Sequence, residues 1–339
     1  MKVLVTGGTG YIGSHVVVEL LKQNHECVVL DNLSNSNESV LDSIKKITGI
    51  RPIFYKVDML DKAATEKVFE QNNCDAVIHM AGFKAVGESV EKPLLYYRNN
   101  LDSTLNLIEC MKKHGCKNLV FSSSATVYGK PESSPVNENA KLSCANPYGW
   151  TKFMNERILS DICNADKSLN VALLRYFNPI GAHESGLIGE NPNDIPNNLA
   201  PYLIKVIMGE LPKINVFGND YDTPDGTGVR DYIHVVDLAK GHILALNKLA
   251  TNCGLVTYNL GTGKGYSVLD VIDAFSRAWG KQIPYSFAPR RAGDVDLYFA
   301  DPSKANRELG FKCEYNLDDM ARDSVNFALT LKKARQKSN

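Results

Sequence analysis

The chain has 339 residues, 44% of them apolar and 22% charged, with 38 basic and 38 acidic side chains and a formal net charge of zero. That length predicts one large domain with an appended lobe, or two domains sharing a cleft. The balanced charge, without runs of one sign, excludes a nucleic-acid or membrane footprint and points to a small-molecule partner.

Eight cysteines lie far apart, Cys110 and Cys116 being the nearest pair, so there is no CxxC or Cys/His spacing, no metal is expected and the thiols read as buried and reduced. The run Met1 to Thr6 enters a glycine loop before a signal-peptide core could form, and no apolar stretch reaches membrane-spanning length, which predicts a cytoplasmic chain.

Short Val/Ile/Leu-rich strands are expected at residues 2–6, 27–31, 53–58, 75–80 and 117–122, separated by helical stretches. Being apolar on both faces, they suit a parallel sheet covered on each side by helices through right-handed crossovers. The predicted fold class is therefore α/β: a doubly wound parallel sheet of Rossmann type with a smaller α/β substrate-binding lobe.

After the first strand comes Thr6-Gly7-Gly8-Thr9-Gly10-Tyr11-Ile12-Gly13, opening a helix, which is the setting a dinucleotide phosphate loop requires. Gly7 and Gly10 would let backbone approach a pyrophosphate, and Gly13 would let helix and strand pack closely. The Lys-Ser/Thr ending of a nucleotide-kinase loop is missing. Asp31 closes the second strand, where a carboxylate holds adenosine ribose hydroxyls and repels a 2′-phosphate, and Asn32-Leu33-Ser34-Asn35-Ser36 offers no arginine to that phosphate. NAD is favoured over NADP. A turn carboxylate is the alternative for Asp31.

The fifth strand ends in Phe121-Ser122-Ser123-Ser124-Ala125-Thr126, placing hydroxyls at the carboxyl edge of the sheet, where open α/β sheets bind ligands. Ser124 is the candidate for a proton-sharing donor, with a capping turn as its alternative role. Tyr148 and Lys152 stand four apart at the start of a predicted helix, so both project from one face and an ammonium lies beside a phenol. Lowering a tyrosine pKa by ~3 units needs about 4 kcal/mol. One cation at about 4 Å in an effective dielectric of ~20 supplies that much, so a tyrosinate base is physically reasonable. An isolated pair of this spacing on a surface helix would mean little.

After Val171-Ala172-Leu173-Leu174-Arg175 the composition turns to Pro, Asn and Gly from Asn178 to Pro201. Residues 1–178 are accordingly expected to form the dinucleotide-binding domain and 179–339 the substrate lobe, with segments around 233–262 returning to the main domain. His79 and His234 read as structural histidines.

Together the glycine loop, Asp31 and the Ser124/Tyr148/Lys152 set resemble the extended short-chain dehydrogenase/reductase superfamily across essentially the whole chain. Within it, Lys84-Ala85-Val86-Gly87-Glu88-Ser89, Arg175-Tyr176-Phe177-Asn178-Pro179, Ile195-Pro196-Asn197-Asn198-Leu199 and Gly228-Val229-Arg230-Asp231-Tyr232-Ile233-His234 resemble the UDP-glucose 4-epimerase family. The resemblance implies interconversion of UDP-glucose and UDP-galactose. Tyr148 would take the 4-hydroxyl proton while a hydride passes to tightly held NAD, and the 4-keto sugar would turn over before the hydride returns.

It further implies cofactor contacts at Tyr11, Ile12, Asp31, Asn32, Ser34, Asn35, Ser36, Asp58, Met59, Met80, Ala81, Gly82, Lys84, Asn99 and Phe177. Nucleotide-sugar contacts would come from Asn178, Asn198, Leu199, Asn215, Val216, Phe217 and Tyr232. Arg230 and Arg291 would clamp the diphosphate, Asp294 would hold the uridine ribose, and bulky Tyr298 would disfavour 2-acetamido sugars. A homodimer is implied too. The rivals are a dehydratase or decarboxylase, which would need an acid or base where Ala125-Thr126 stands, a UDP-glucuronate epimerase, and a non-catalytic NAD-sensing scaffold.

Overall fold

The computed structural model describes residues 1–191, 198–291 and 293–338. In the first part of the chain, strands and helices alternate: β1 (Lys2–Thr6), α1 (Tyr11–Lys22), β2 (Glu26–Asp31), α2 (Ser39–Thr48), β3 (Ile53–Lys56), α3 (Lys62–Asn72) and β4 (Ala76–His79). Short helices α4 (Val86–Glu91) and α5 (Pro93–Tyr97) run through one turn of π-helix at Arg98–Asp102 into α6 (Ser103–Lys113). There follow β5 (Asn118–Ser122), α7 (Pro147–Ala165), β6 (Asn170–Tyr176) and β7 (Asn178–Ile180).

The second part contains α8 (Leu199–Met208), β8 (Ile214–Phe217), β9 (Val229–Arg230), β10 (Tyr232–His234), α9 (Val235–Leu249) and β11 (Leu255–Leu260). It ends with β12 (Tyr266–Ser267), α10 (Val268–Trp279), β13 (Tyr285–Ala288), β14 (Leu297–Tyr298), α11 (Ser303–Leu309) and α12 (Leu317–Ser338).

Local chemistry fixes many boundaries. Asp61 caps α3 by accepting from Ala64 N at 2.9 Å, and Ser267 with Asp270 forms a reciprocal capping box on α10. The expected strand over 53–58 is shorter than predicted and stops at Lys56. Asp58 there accepts from Leu60 N at 2.9 Å, which turns the chain out of the sheet.

Seven strands form one parallel sheet in the order β11-β6-β5-β4-β1-β2-β3, the doubly wound α/β architecture expected. Alternation along each strand feeds two cores. Val3 and Val5 pack with α1, α2 and α9, whereas Leu4 packs with α3, α6 and α7. Strand order reverses between β1 and β4, so their carboxyl ends open the crevice in which such sheets bind ligands. A third core, built from α8, α10, α12 and β8, supports the outer lobe. The chain re-enters the main sheet through β11, which runs parallel to β6 with Leu255 opposite Val171 and Leu260 opposite Tyr176.

Candidate active site

The crevice begins at Gly7. Its φ of +69° lies in the left-handed region, and a Cβ there would sit 2.9 Å from Ala81 N, so the loop after β1 nests against the end of β4 only as glycine. A Cβ on Gly13 would come within 2.1 Å of Gly7 O, which fixes the second close approach. Gly10 precedes helix α1 at its N-cap with no side-chain cap, and the first turn holds no acidic residue, leaving the leading amides free of an internal anion.

Asp31, almost fully buried at the end of β2, accepts from Thr9 N at 3.2 Å, Leu33 N at 2.9 Å and the Ser36 hydroxyl at 3.3 Å. The acidic group is thus braced between the glycine loop and the turn after β2. Asn32 donates to Asp58 at 3.1 Å and accepts from Ser34 N, while Asn35 lies exposed beside them. Met59 is buried beneath this rim; Met80 and Ala81 line it half-buried, with Gly82 exposed. Ile12 packs on the core below α1, and Tyr11 reaches across to donate to Gly181 O at 2.8 Å. Asn99 donates to Asn100 at 3.0 Å. Asn100 in turn holds Phe83 N and O and the Thr151 hydroxyl, tying the loop after β4 to α7. This donor set fits a dinucleotide: uncapped amides for a diphosphate, a carboxylate for ribose hydroxyls and a close-packed glycine loop between them.

On the opposite wall stands α7. Asn146 caps it by accepting from Gly149 N at 2.8 Å, and Pro147 occupies its first turn, so the helix begins one residue before Tyr148. Tyr148 and Lys152 are both buried, at 7% and 6% exposure. Lys152 donates to the Ser122 carbonyl at 2.8 Å, and its ammonium lies over the Phe121 ring. Burial pushes its pKa down to about 8, against the charge of Glu156 one turn further along. Burial also raises the Tyr148 phenol; the Ser124 hydroxyl, donating toward the phenolate, and the Lys84 charge both pull it down. Lys152 is thus anchored at the end of β5, and the charge of Lys84 also reaches the phenol.

The Ser124 hydroxyl accepts from Thr126 N at 3.2 Å, capping the 3₁₀ turn Ala125–Tyr128, and its hydrogen bond also favours the Tyr148 phenolate. Two partnerships had no signal in the sequence. Lys84 pairs with Glu190 at 2.8 Å across 106 positions. Glu156 is held by Arg175 at 2.6 Å and by the Ser123 hydroxyl at 2.5 Å, fully inside the protein. His79 bridges the Thr6 and Thr104 hydroxyls at 2.7 and 3.1 Å, and His234 meets Asp323 at 3.3 Å; both are buried within the fold.

From the outer lobe, Asn178 donates to Asp231 O at 3.0 Å, and Asn198 and Leu199 open α8. Ile195, Pro196 and Asn197 lie outside the described residues. Along β8 the side chains alternate: Asn215 and Phe217 face out, whereas Val216 points into the lobe core, so only its backbone is available to a ligand. Arg291 lies 5.0 Å from the Phe217 ring, and both Arg291 and Arg230 approach Asp294, at 3.1 and 3.7 Å. Tyr232 is buried among the lobe's apolar residues. Tyr298 packs on Phe177 at 5.1 Å between centroids and donates to Ala125 O, joining the lobe to the turn that carries Ser124.

Residues 3–261 match the model of the NAD dependent epimerase/dehydratase family. The chain is 59% identical over 324 residues to UDP-glucose 4-epimerase of Bacillus subtilis (strain 168), covering 96% of each. It also superposes on the crystal structure of UDP-glucose 4-epimerase from Bifidobacterium longum in complex with NAD+ and UDP, with a TM-score of 0.92, 53% identity and coverage of 97% and 98%. A third likeness is to UDP-glucose-4-epimerase from Stenotrophomonas maltophila with bound NAD and formylated UDP-arabinopyranose, with a TM-score of 0.96, 48% identity and coverage of 98% and 99%.

Proposed function

The chain belongs to the NAD dependent epimerase/dehydratase family, and we infer that it is an NAD-dependent enzyme interconverting UDP-glucose and UDP-galactose by oxidation at C4, rotation of the keto sugar and reduction of its other face. The observation that carries this reading is the burial of Tyr148, Ser124 and Lys152 together at the carboxyl edge of β5, beside a glycine loop shaped for a dinucleotide. A dinucleotide held by the glycine loop and Asp31 would supply the hydride chemistry at the sugar C4.

In this reading Gly7, Gly10, Gly13 and Asp31 would hold the dinucleotide, with the rim from Asn32 to Ser36, Asp58, Met59, Met80 to Gly82, Lys84, Asn99 and Phe177 around it. Tyr148 removes the proton from the sugar 4-hydroxyl and later restores it, and Ser124 shares that proton through a hydrogen bond. Burial keeps water away from the phenol, and the charge of Lys84 favours its ionised form. Lys152, held at the Ser122 carbonyl, orients the helix face that presents the phenol.

The keto sugar has to turn over while its nucleotide stays in place, so affinity belongs to the outer lobe. Arg230 and Arg291, gathered around Asp294 and flanked by Phe217, suit a diphosphate and a nucleoside. We assign residues 1–178 to dinucleotide binding and 179–339 to nucleotide-sugar binding, with the stretch around 233–262 belonging to the first body. Eight free cysteines support a reducing, cytoplasmic setting, and among the described residues no helix is long and apolar enough to cross a membrane.

A homodimer is part of this proposal. Helices α4, α5 and α7 expose Val90, Leu94, Trp150 and Met154, an apolar surface suited to a second copy. The deciding experiment is incubation of the purified chain with UDP-galactose and no added cofactor, following UDP-glucose. Tyr148→Phe should lower kcat by about 10²- to 10⁴-fold; undiminished turnover would overturn the mechanism.

A further inference from the structure

We propose that Ser123 is a positioning residue for this reaction: its hydroxyl, held by Glu156, fixes the point at which the chain leaves the sheet, and thereby keeps the Ser122 carbonyl on the Lys152 ammonium. The proposal rests on the reading of Tyr148, Ser124 and Lys152 as the catalytic set.

The sheet releases the chain at this point. Strand β5 pairs with β4 only as far as Phe121 and with β6 only as far as Ser122, and Ser123 N turns back to donate to Phe121 O at 3.0 Å. Beyond Ser122 no strand pairing holds the backbone, so side chains have to place it. The three successive hydroxyls take different partners. Ser122 meets His242 Nε2 on α9 at 2.9 Å, Ser123 donates to Glu156 Oε1 on α7 at 2.5 Å, and Ser124 accepts from Thr126 N within its own turn. Ser123, fully buried, thus ties the strand end to the helix that bears Tyr148 and Lys152.

The carboxylate is a fixed post. Tyr148, Lys152 and Glu156 follow one another at four-residue steps on α7, all three buried on one helix face. Arg175 on β6 grips both oxygens of Glu156, with Nε at 3.0 and 3.2 Å and Nη2 at 2.6 Å, and its Nη1 is held by the Tyr128 hydroxyl at 3.1 Å. That ion pair stands without Ser123, so the additional bond to the hydroxyl acts on the strand end rather than on the pair. One residue back, the Ser122 carbonyl receives Lys152 at 2.8 Å. Just beyond, the turn that carries Ser124 lies directly on the start of α7, where a Cβ on Gly149 would come within 3.2 Å of the Thr126 carbonyl. Moving residue 123 therefore moves the acceptor of Lys152 and that turn together.

The test uses the holoenzyme and the variants Ser123→Ala, which leaves the pair of Glu156 and Arg175 intact, and Ser123→Thr, which keeps the hydroxyl. In Ser123→Ala the kcat for UDP-galactose should fall by about tenfold with KM unchanged, because the nucleotide contacts lie in the outer lobe and only the alignment of the reacting groups is lost. Ser123→Thr should recover most of that loss. An unaltered kcat, a rise in KM alone, or an equal loss in Ser123→Thr would each overturn the proposal. So would a change confined to the denaturant midpoint, the result that a purely structural serine gives. Glu156→Asp, which draws the carboxylate back from the hydroxyl, reads the same quantities should Ser123→Ala fail to fold. A crystal structure of Ser123→Ala needs no turnover: the contact of Lys152 with the Ser122 carbonyl should be lengthened or lost, and an unchanged contact would also overturn the proposal. The underlying reading fails separately, if the unmodified chain leaves UDP-galactose unchanged.

Discussion

Lys152 donates to the Ser122 carbonyl at 2.8 Å, one helical turn beyond Tyr148, so an ammonium is buried at the end of the fifth strand with a single backbone acceptor. Its folded pKa of about 8 lies below the ordinary 10.5. For a lysine that sign means the folded state binds the proton less readily than the unfolded chain. The destabilisation is present in full below pH ~8 and is relieved as pH rises toward ~10.5, worth on the order of 3 kcal/mol. Urea unfolding of the chain and of Lys152→Met should therefore differ in pH dependence: the gap between them moves in favour of the unmodified chain across that window. A constant gap would show that the lysine is not desolvated.

Gly13→Ala should harm both folding and cofactor retention. The added Cβ meets Gly7 O at 2.1 Å, and backbone on both sides leaves no flexible atom to give way. A loss of about 1–3 kcal/mol or more is expected in denaturant unfolding, with less NAD copurifying.

Asp31→Ala removes the carboxylate that braces the glycine loop through Thr9 N and faces the expected ribose. Hydrogen bonds to a charged group are worth ~1.5–3 kcal/mol, so NAD affinity should fall by about 10- to 150-fold. Equilibrium dialysis against NAD measures this, and unchanged retention would remove Asp31 from the site.

Tyr298 is anchored twice, on the Phe177 ring and at the Ala125 carbonyl, and cannot swing aside for a larger sugar. Tyr298→Ala should raise the rate on UDP-N-acetylglucosamine relative to UDP-galactose by on the order of tenfold. If the unmodified chain already turns over both sugars at similar rates, the side chain does not set specificity.

Leu94→Glu places a charge on the exposed apolar face of α4, α5 and α7, where Leu94 is 78% exposed. Light scattering should show the molar mass fall from that of a dimer to that of a monomer while secondary structure is retained.

What the sequence made legible was local. The glycine loop, the strand runs and the Asn146-Pro147 helix start each declare themselves within a few residues, and the parallel sheet follows from their alternation with helices. Asp31 was readable because its distance from the loop is set by one crossover. The charge partners were not. Glu190 sits 106 positions from Lys84, and Arg175 is 19 from Glu156, separations that carry no periodic signal. The spacing of Tyr148 and Lys152 placed them correctly on one helix face, but which acceptor would take the ammonium depends on where β5 ends, a property of the folded sheet.

Because β11 pairs with β6, the polypeptide cannot be divided at a single cut. A fragment ending at residue 178 would bare the hydrogen-bonding edge of β6 and invite strand addition from other molecules. Engineers who wish to graft the outer lobe onto a different scaffold would have to carry over the strand from Leu255 to Leu260 as well, or supply a substitute for it.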